Sequence, residues 1–122
     1  MILLGQLFTL SERQDINGQL SWNLHLDAGH RIFNGHFPGN PILPGVCMMH
    51  IVKEALEQEF STKFRVRKAD QLKFLRIIDP RETPELKLQI KAVKEDNGYK
   101  ISASLSKEEA SFFKMSGTLE VV

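Results

Sequence analysis

One segment of this chain has the residue spacing of a helix, and segments of alternating polarity lie on both sides of it. Helical spacing begins after Pro44 and continues to about Phe60. Apolar residues recur there at the intervals of a helix face: Met48, Ile51, Val52, Ala55 and Leu56. Val46, Cys47 and Met49 add apolar surface in the first turns, which predicts that other structure surrounds the start of the helix.

Alternation of apolar and polar residues predicts strands before and after this helix. The stretch from Leu20 to Leu26 alternates, and Asn17-Gly18 before it is typical of a two-residue hairpin turn because both positions tolerate positive φ. The segment from Leu3 to Leu10 is the predicted partner strand. Four further alternating segments follow the helix: 72–76, 86–90, 99–105 and 115–121. The pattern predicts an α+β fold, in which an antiparallel sheet wraps around one long central helix.

Length and composition fit one small domain spanning residues 1–122. The chain is 42% hydrophobic and 25% charged, so it can bury a core without a disulfide or a metal ion. A net charge of +1 gives no reason to expect nucleic acid or an anionic membrane as a partner. The single cysteine, Cys47, cannot form an intrachain disulfide, and we see no signal peptide or bilayer-spanning segment. These features predict a cytoplasmic protein.

A loop rich in proline and glycine leads directly into the helix. Residues 35–46 read Gly-His-Phe-Pro-Gly-Asn-Pro-Ile-Leu-Pro-Gly-Val. This run resembles the active-site signature of the β-hydroxyacyl-acyl-carrier-protein dehydratases. The segment from Asp70 to Pro80 is similar to the strand that follows the helix in that family. The strands before and after the signature also come in the family's order, so the resemblance covers nearly the whole chain.

The resemblance implies a hot-dog fold and a dimer in which two sheets join edge to edge. In the family, a histidine of one subunit meets a carboxylate on the central helix of the other, and the acyl chain lies in a tunnel beside that helix. The expected partners are acyl carrier protein or another acyl thioester substrate, and a second hot-dog subunit in a homodimer or heterodimer. No separate cofactor is expected, because the phosphopantetheine arm belongs to the substrate. No nucleic acid, membrane or metal is expected either. A basic cluster is a candidate contact for the acidic carrier protein: Lys63, Arg65, Arg67 and Lys68.

The family's chemistry assigns roles to several positions of this sequence. His36 is the predicted base that removes the proton α to the thioester carbonyl, since imidazole titrates near neutral pH. Backbone N–H groups near Gly39, Gly45 and Val46 would stabilise the charge that develops on the thioester oxygen. The predicted substrate-binding residues are Phe37, Gly39, Pro44, Gly45, Val46 and Glu54.

The chain departs from the family at the acid that protonates the leaving hydroxyl. That group is normally Glu or Asp, six residues after the proline of Pro-Gly-Val, and His50 occupies its position here. Protonated His50 could be the second catalytic residue, because Glu54 one helical turn later would favour the charged ring. Alternatively, His50 binds substrate in an altered enzyme, or the chain is a non-catalytic hot-dog subunit or acyl-binding partner of an active homologue. A third hypothesis is an acyl thioesterase, for which Glu54 is the available carboxylate.

Overall fold

A single sheet and a single long helix make up most of the structure, a computed structural model that describes residues 2–34 and 39–122. The elements are β1 (Phe8–Ile16), β2 (Gln19–Leu26), a short 3-10 turn (Arg31–Phe33), α1 (Gly45–Phe60), β3 (Phe64–Phe74), β4 (Glu85–Glu95), β5 (Gly98–Lys107) and β6 (Ala110–Val121). All neighbouring strands are antiparallel, in the order β1-β2-β4-β5-β6-β3. The predicted α+β class is confirmed.

The core forms between α1 and one face of the sheet. Alternate residues of the central strands point to this inner face and are almost fully buried, among them Leu88, Ile101 and Phe113. Residues on the helix face predicted from the spacing are equally buried and join the same cluster: Ile51, Val52, Ala55 and Leu56. The other parity of the strands carries polar side chains on the outer face, as expected for a sheet that is covered on one side.

The helix begins and ends where its sequence predicts. Pro44 occupies the N-cap with an extended backbone, and its carbonyl accepts hydrogen bonds from the N–H groups of Cys47 (3.0 Å) and Met48 (3.3 Å). Ser61 ends the helix in the left-handed conformation, with φ 49°. The expectation that other structure encloses the first turns is wrong for Val46, whose side chain is 58% exposed.

The first hairpin has the predicted turn but a different first strand. Asn17 (φ 52°) and Gly18 (φ 82°) form the turn. Strand β1 runs up to that turn and pairs along β2 from Phe8↔Leu26 to Ile16↔Gln19, apart from an irregularity between Ser11 and Gln14. The predicted strand from Leu3 to Leu10 is therefore wrong in its first half, because residues 3–7 form a turn in which the Leu7 N–H donates to the Leu3 carbonyl (2.8 Å). Most residues of this edge strand are exposed, so apolar and polar residues do not alternate along it and no strand pattern is recognisable there.

Strand β3 forms the opposite edge of the sheet and exposes large apolar side chains. Within residues 2–34 and 39–122 it pairs with β6 alone. We call the exposed residues at its end and just beyond it the apolar edge: Leu72 (38% exposed), Phe74 (52%), Leu75 (49%) and Ile77 (68%). An unpaired strand edge with large apolar side chains is typical of a surface that another chain covers.

Candidate functional site

The loop that leads into α1 is held against the segment that follows β3. The Leu43 N–H donates to the Ile78 carbonyl (2.9 Å), and both side chains are buried. Gly39 has φ +82°, and a Cβ added there would meet no atom within 4 Å. Glycine is therefore required at this position for its backbone conformation and not for space.

Two predicted site residues, His36 and Phe37, lie outside the described residues. Their roles as base and as substrate contact stay predictions. The structure describes the remaining predicted site residues, and it divides them between the preceding loop, the start of α1 and the middle of that helix.

Gly45, the first residue of α1, packs directly against an aromatic ring of the apolar edge. A Cβ added to Gly45 would lie 2.7 Å from Cε1 and 2.9 Å from Cζ of Phe74. The Phe74 ring in turn packs on Phe113, with a distance of 5.2 Å between ring centroids. Glycine at this position therefore allows β3 to approach the helix start, and it brings the predicted site next to the apolar edge.

The first turn of α1 has the electrostatic character that the predicted chemistry requires. The N–H groups of the first turn of a helix have no carbonyl acceptor inside it, and the helix dipole makes this end positive. Gly45 and Val46 supply two of these groups, and the Val46 side chain is exposed. An oxygen that gains negative charge would be stabilised at this position.

His50 lies one turn further along the helix and has an enclosed ring nitrogen. The Nδ1 atom is buried, and no residue in the described part of the chain forms a hydrogen bond with it. A small cavity of about 80 Å³ adjoins the ring and is lined by Val46, Met49, His50, Lys53 and Val66. Most enclosed polar atoms in folded proteins have a hydrogen-bond partner, so this nitrogen is available for a hydrogen bond with a group outside the described residues.

Glu54 lies one turn beyond His50 and is fully engaged in the fold. Its side chain is 6% exposed. Its carboxyl group accepts hydrogen bonds from the Leu3 N–H (2.8 Å to Oε1, 3.1 Å to Oε2) and from the Leu4 N–H (3.3 Å). No hydrogen bond or ion pair between Glu54 and His50 occurs among the residues that the structure describes. Sequence reasoning missed this structural role, although an acidic residue between the apolar positions of α1 was a signal for it.

Cys47, in the first turn of α1, is a packed core residue. It is fully buried, and burial, followed by the charge of Glu54, raises the pKa of its thiol. The thiol is therefore protonated at neutral pH and is a poor nucleophile. In the parts of the chain described, no cluster of three His, Cys, Asp or Glu side chains is arranged to hold a metal ion, and no helix has the length and hydropathy to cross a membrane.

Comparison with known proteins agrees with the motif. A family model described as ApeI-like, ApeI dehydratase, matches residues 11–114. A 3-hydroxyacyl-[acyl-carrier-protein] dehydratase FabZ of Latilactobacillus sakei is 31% identical over 94 residues, which are 70% of this chain and 67% of the relative. A FabZ of Haemophilus influenzae is 35% identical over 82 residues, 61% of this chain and 54% of the relative. The chain thus spans between about half and two thirds of the length of these relatives.

Solved structures share the fold at low sequence identity. An uncharacterized protein from Erwinia carotovora superposes with a TM-score of 0.67 at 23% identity, covering 95% of this chain and 96% of that one. The structure described as the dehydratase heterocomplex ApeI:P from Xenorhabdus doucetiae gives a TM-score of 0.65 at 19% identity, covering 91% and 96%. The hot-dog fold predicted from the resemblance is confirmed. The chain belongs to the ApeI-like dehydratase family.

Proposed function

We propose that this protein dehydrates β-hydroxyacyl thioesters carried on acyl carrier protein and releases the trans-2-enoyl product. Such a reaction belongs to fatty acid biosynthesis or related lipid metabolism. The observation that carries the proposal is the enclosed Nδ1 of His50, which has no hydrogen-bond partner among the residues that the structure describes. This atom lies one helical turn from an exposed helix start, at the position where related dehydratases have their acid.

In the proposed reaction His36 removes the proton from Cα of the substrate. The electron pair of that C–H bond forms the double bond between Cα and Cβ, and the bond from Cβ to the hydroxyl oxygen breaks. Protonated His50 gives its proton to the departing hydroxyl, which leaves as water. The N–H groups of Gly45 and Val46 stabilise the negative charge on the thioester oxygen, together with the backbone at Gly39.

A second hot-dog subunit is the proposed partner at the apolar edge. Exposure of Phe74, Leu75 and Ile77 supports this proposal, because a soluble chain rarely leaves such a strand edge uncovered. Val66 of β3 lines the cavity beside His50, so a subunit that docks on β3 would approach the ring. The site would then combine His36 of one subunit with His50 of the other, in a homodimer or a heterodimer.

The non-catalytic subunit is the second candidate function, since His50 stands where the family has Glu or Asp. In that case this chain would complete the site of an active homologue. The ApeI:P structure is described as a dehydratase heterocomplex, which supports the pairing of unlike subunits in this proposal.

The thioesterase hypothesis receives less support. It requires a carboxylate near the helix to activate water. Glu54 is buried, and both of its carboxyl oxygens already accept hydrogen bonds from backbone N–H groups at Leu3 and Leu4. A carboxyl group with these partners is poorly placed to bind and activate water.

The test is to incubate the purified protein with a β-hydroxyacyl thioester and to measure both enoyl product and free thiol. Enoyl formation that His36→Ala abolishes is the expected result. Free thiol without enoyl product would identify a thioesterase. Silence in both measurements, followed by activity when a second hot-dog protein is added, would identify a non-catalytic subunit.

His50→Glu separates the two remaining possibilities. If His50 is the working acid, the substitution leaves the dehydration rate similar or lower. A large gain in rate would show that the natural chain lacks its acid, and the role assigned to His50 would then be wrong.

A further inference from the structure

The outer face of the sheet, on the side away from α1, contains a groove of about 340 Å³. Three lysines and three serines define it, and we call it the lysine groove: Lys73, Lys91, Lys114, Ser102, Ser104 and Ser116. Three glutamines from β2, β3 and β4 also line it, and no carboxyl group among the described residues does. The proposed dehydration does not use this surface, because the sheet separates it from α1.

Strand register brings the serines together at the centre of the groove. Ser102 on β5 pairs with Ser116 on β6, and Lys91 on β4 pairs with Ser102 from the other side. Short hydroxyl side chains at the centre let a ligand approach the sheet, while the lysines rise on either side. From the strand spacing and the rise per residue, the Cα atoms of Lys91 and Lys114 are roughly 12 Å apart.

The charges in the lysine groove are unbalanced. Lys114 on β6 lies directly opposite Lys73 on β3, and like charges in directly opposed positions destabilise a sheet. None of the three groove lysines takes part in an ion pair within residues 2–34 and 39–122. The nearby Asp70 pairs with Lys68 (3.2 Å). The groove therefore keeps a local repulsion that an anionic ligand would relieve.

The predicted basic cluster differs from the groove in this respect. Arg65 and Arg67 both contact the carboxyl group of Glu120, and Lys68 contacts Asp70. Two carboxyl groups thus offset half of the four positive charges of that cluster within the fold. The lysine groove is the place where positive charge is concentrated without compensation among its lining residues.

We propose that the lysine groove binds a small molecule that carries two or more phosphate groups. Lysine ammonium groups and serine hydroxyls both donate hydrogen bonds to phosphate oxygens. The volume lies within the range of small-molecule sites. The groove has no aromatic or arginine side chain of the kind that protein interfaces favour, and a net charge of +1 gives no support for nucleic acid.

The test is to titrate the whole protein with tripolyphosphate and to measure affinity by calorimetry and the melting temperature by circular dichroism. We expect saturable binding that raises the melting temperature of the natural protein. The double variant Lys73→Gln with Lys114→Gln should bind at least about tenfold more weakly, since charge-assisted hydrogen bonds are lost. The matched control is Lys87→Gln, which removes a lysine from the same face of β4 outside the groove and should bind as the natural protein does.

The melting temperature without ligand independently tests the repulsion between Lys73 and Lys114. Removing one of two opposed lysines relieves their repulsion, so Lys114→Gln alone should be at least as stable as the natural protein. Absence of binding at millimolar tripolyphosphate would overturn the proposal. So would an equal loss of affinity in Lys87→Gln, or tighter binding of duplex DNA or polyglutamate than of tripolyphosphate. None of these measurements depends on dehydration activity.

Discussion

His50 and Glu54 lie one turn apart on α1, yet the described residues supply hydrogen-bond partners to only one of them. Glu54 is buried and accepts hydrogen bonds from two backbone N–H groups of the N-terminal segment. His50 is half-buried, and its Nδ1 is enclosed without a partner in the described part of the chain. A buried polar group with all of its partners inside the fold serves stability, whereas an enclosed group without a partner indicates where something else binds.

A similar difference in exposure separates the first two residues of the helix from Ala55 and Leu56. At its start, Val46 is exposed, and Gly45 contacts Phe74 of the apolar edge. Further along, Ala55 and Leu56 are fully buried. The residues Gly45 and Val46 at the helix start thus face a surface that a second subunit is proposed to cover, whereas Ala55 and Leu56 belong to the core.

Substitution of His50 should have the largest effect, and on activity alone. Because the ring forms no hydrogen bond within residues 2–34 and 39–122, His50→Ala should change the free energy of unfolding by less than about 1 kcal/mol. Loss of the proposed acid should lower the dehydration rate about 100-fold. His25→Ala, which removes an exposed histidine from β2, is the control. An unchanged dehydration rate in His50→Ala would show that His50 is not the acid, and the proposed contrast with Glu54 would fail.

Substitution of Glu54 should mainly affect stability. Glu54→Ala leaves the N–H groups of Leu3 and Leu4 without their acceptor, so it should lower the free energy of unfolding by about 2 kcal/mol. Glu54→Gln keeps an acceptor oxygen and should cost less. Urea unfolding measures both, with Gln58→Ala on the exposed side of α1 as the control. If Glu54→Gln stays stable but loses dehydration, Glu54 acts in the chemistry, and the contrast with His50 does not hold.

A methyl group at Gly45 tests how tightly the apolar edge packs on the helix start. In Gly45→Ala the new Cβ would lie too close to the Phe74 ring, which must move, at a cost of about 1 kcal/mol. Combining it with Phe74→Leu should recover most of this loss, because the clash is removed. Urea unfolding of the two single variants and the double variant gives the coupling. Additive effects of the two substitutions on the free energy of unfolding would show that the Phe74 ring does not pack tightly on Gly45.

The carboxyl group of Glu59, near the end of α1, can be compared with that of Glu54, because it is paired at the surface. Arg13 donates to Glu59 from Nε (2.7 Å) and Nη2 (2.6 Å), and this hydrogen bonding holds the pKa of Glu59 below its ordinary value. The stabilisation is therefore fully present above that ordinary value and is lost as the pH falls through the lowered pKa of the folded state.

Arg13→Gln should lower the melting temperature at neutral pH by only about 2 °C, since one partner of the pair is exposed to solvent. The difference from the natural protein should shrink toward zero as the pH falls through the pKa of Glu59. Lys100→Gln, which removes a charge from β5, is the control. A difference that stays constant over this pH range would mean that Arg13 acts through packing and not through its pairing with Glu59.

Local patterns in the sequence predicted most elements but not their neighbours. Pro44 and the helical spacing fixed both ends of α1, and Asn17-Gly18 fixed the first turn. The last three alternating segments lie within β4, β5 and β6, whereas the first, 72–76, overlaps only the last three residues of β3 and misses the rest of that strand. Polar edge residues gave no alternation, so β1 was placed too early.

Long-range pairing decided the rest. The alternation of Leu72 and Phe74 looks like that of any half-buried strand, and only the sheet order places β3 at an edge where both side chains are exposed. Likewise, Glu54 accepts a hydrogen bond from the N–H of Leu3, which lies 51 positions earlier in the chain. No local pattern carries this information, since it depends on which segments meet after folding.

The sequence by itself determined the motif that identified the family, the position of the helix and the parity of the inner face. These follow from backbone preferences and from the periodicity of apolar residues, both of which act over a few neighbouring residues. Only the tertiary structure decided that Glu54 has its hydrogen-bond partners, that His50 Nδ1 has none in the described part of the chain, and that Lys73 faces Lys114. Each of these depends on contacts between segments far apart in the chain, where burial and partner geometry set the energy of a polar group.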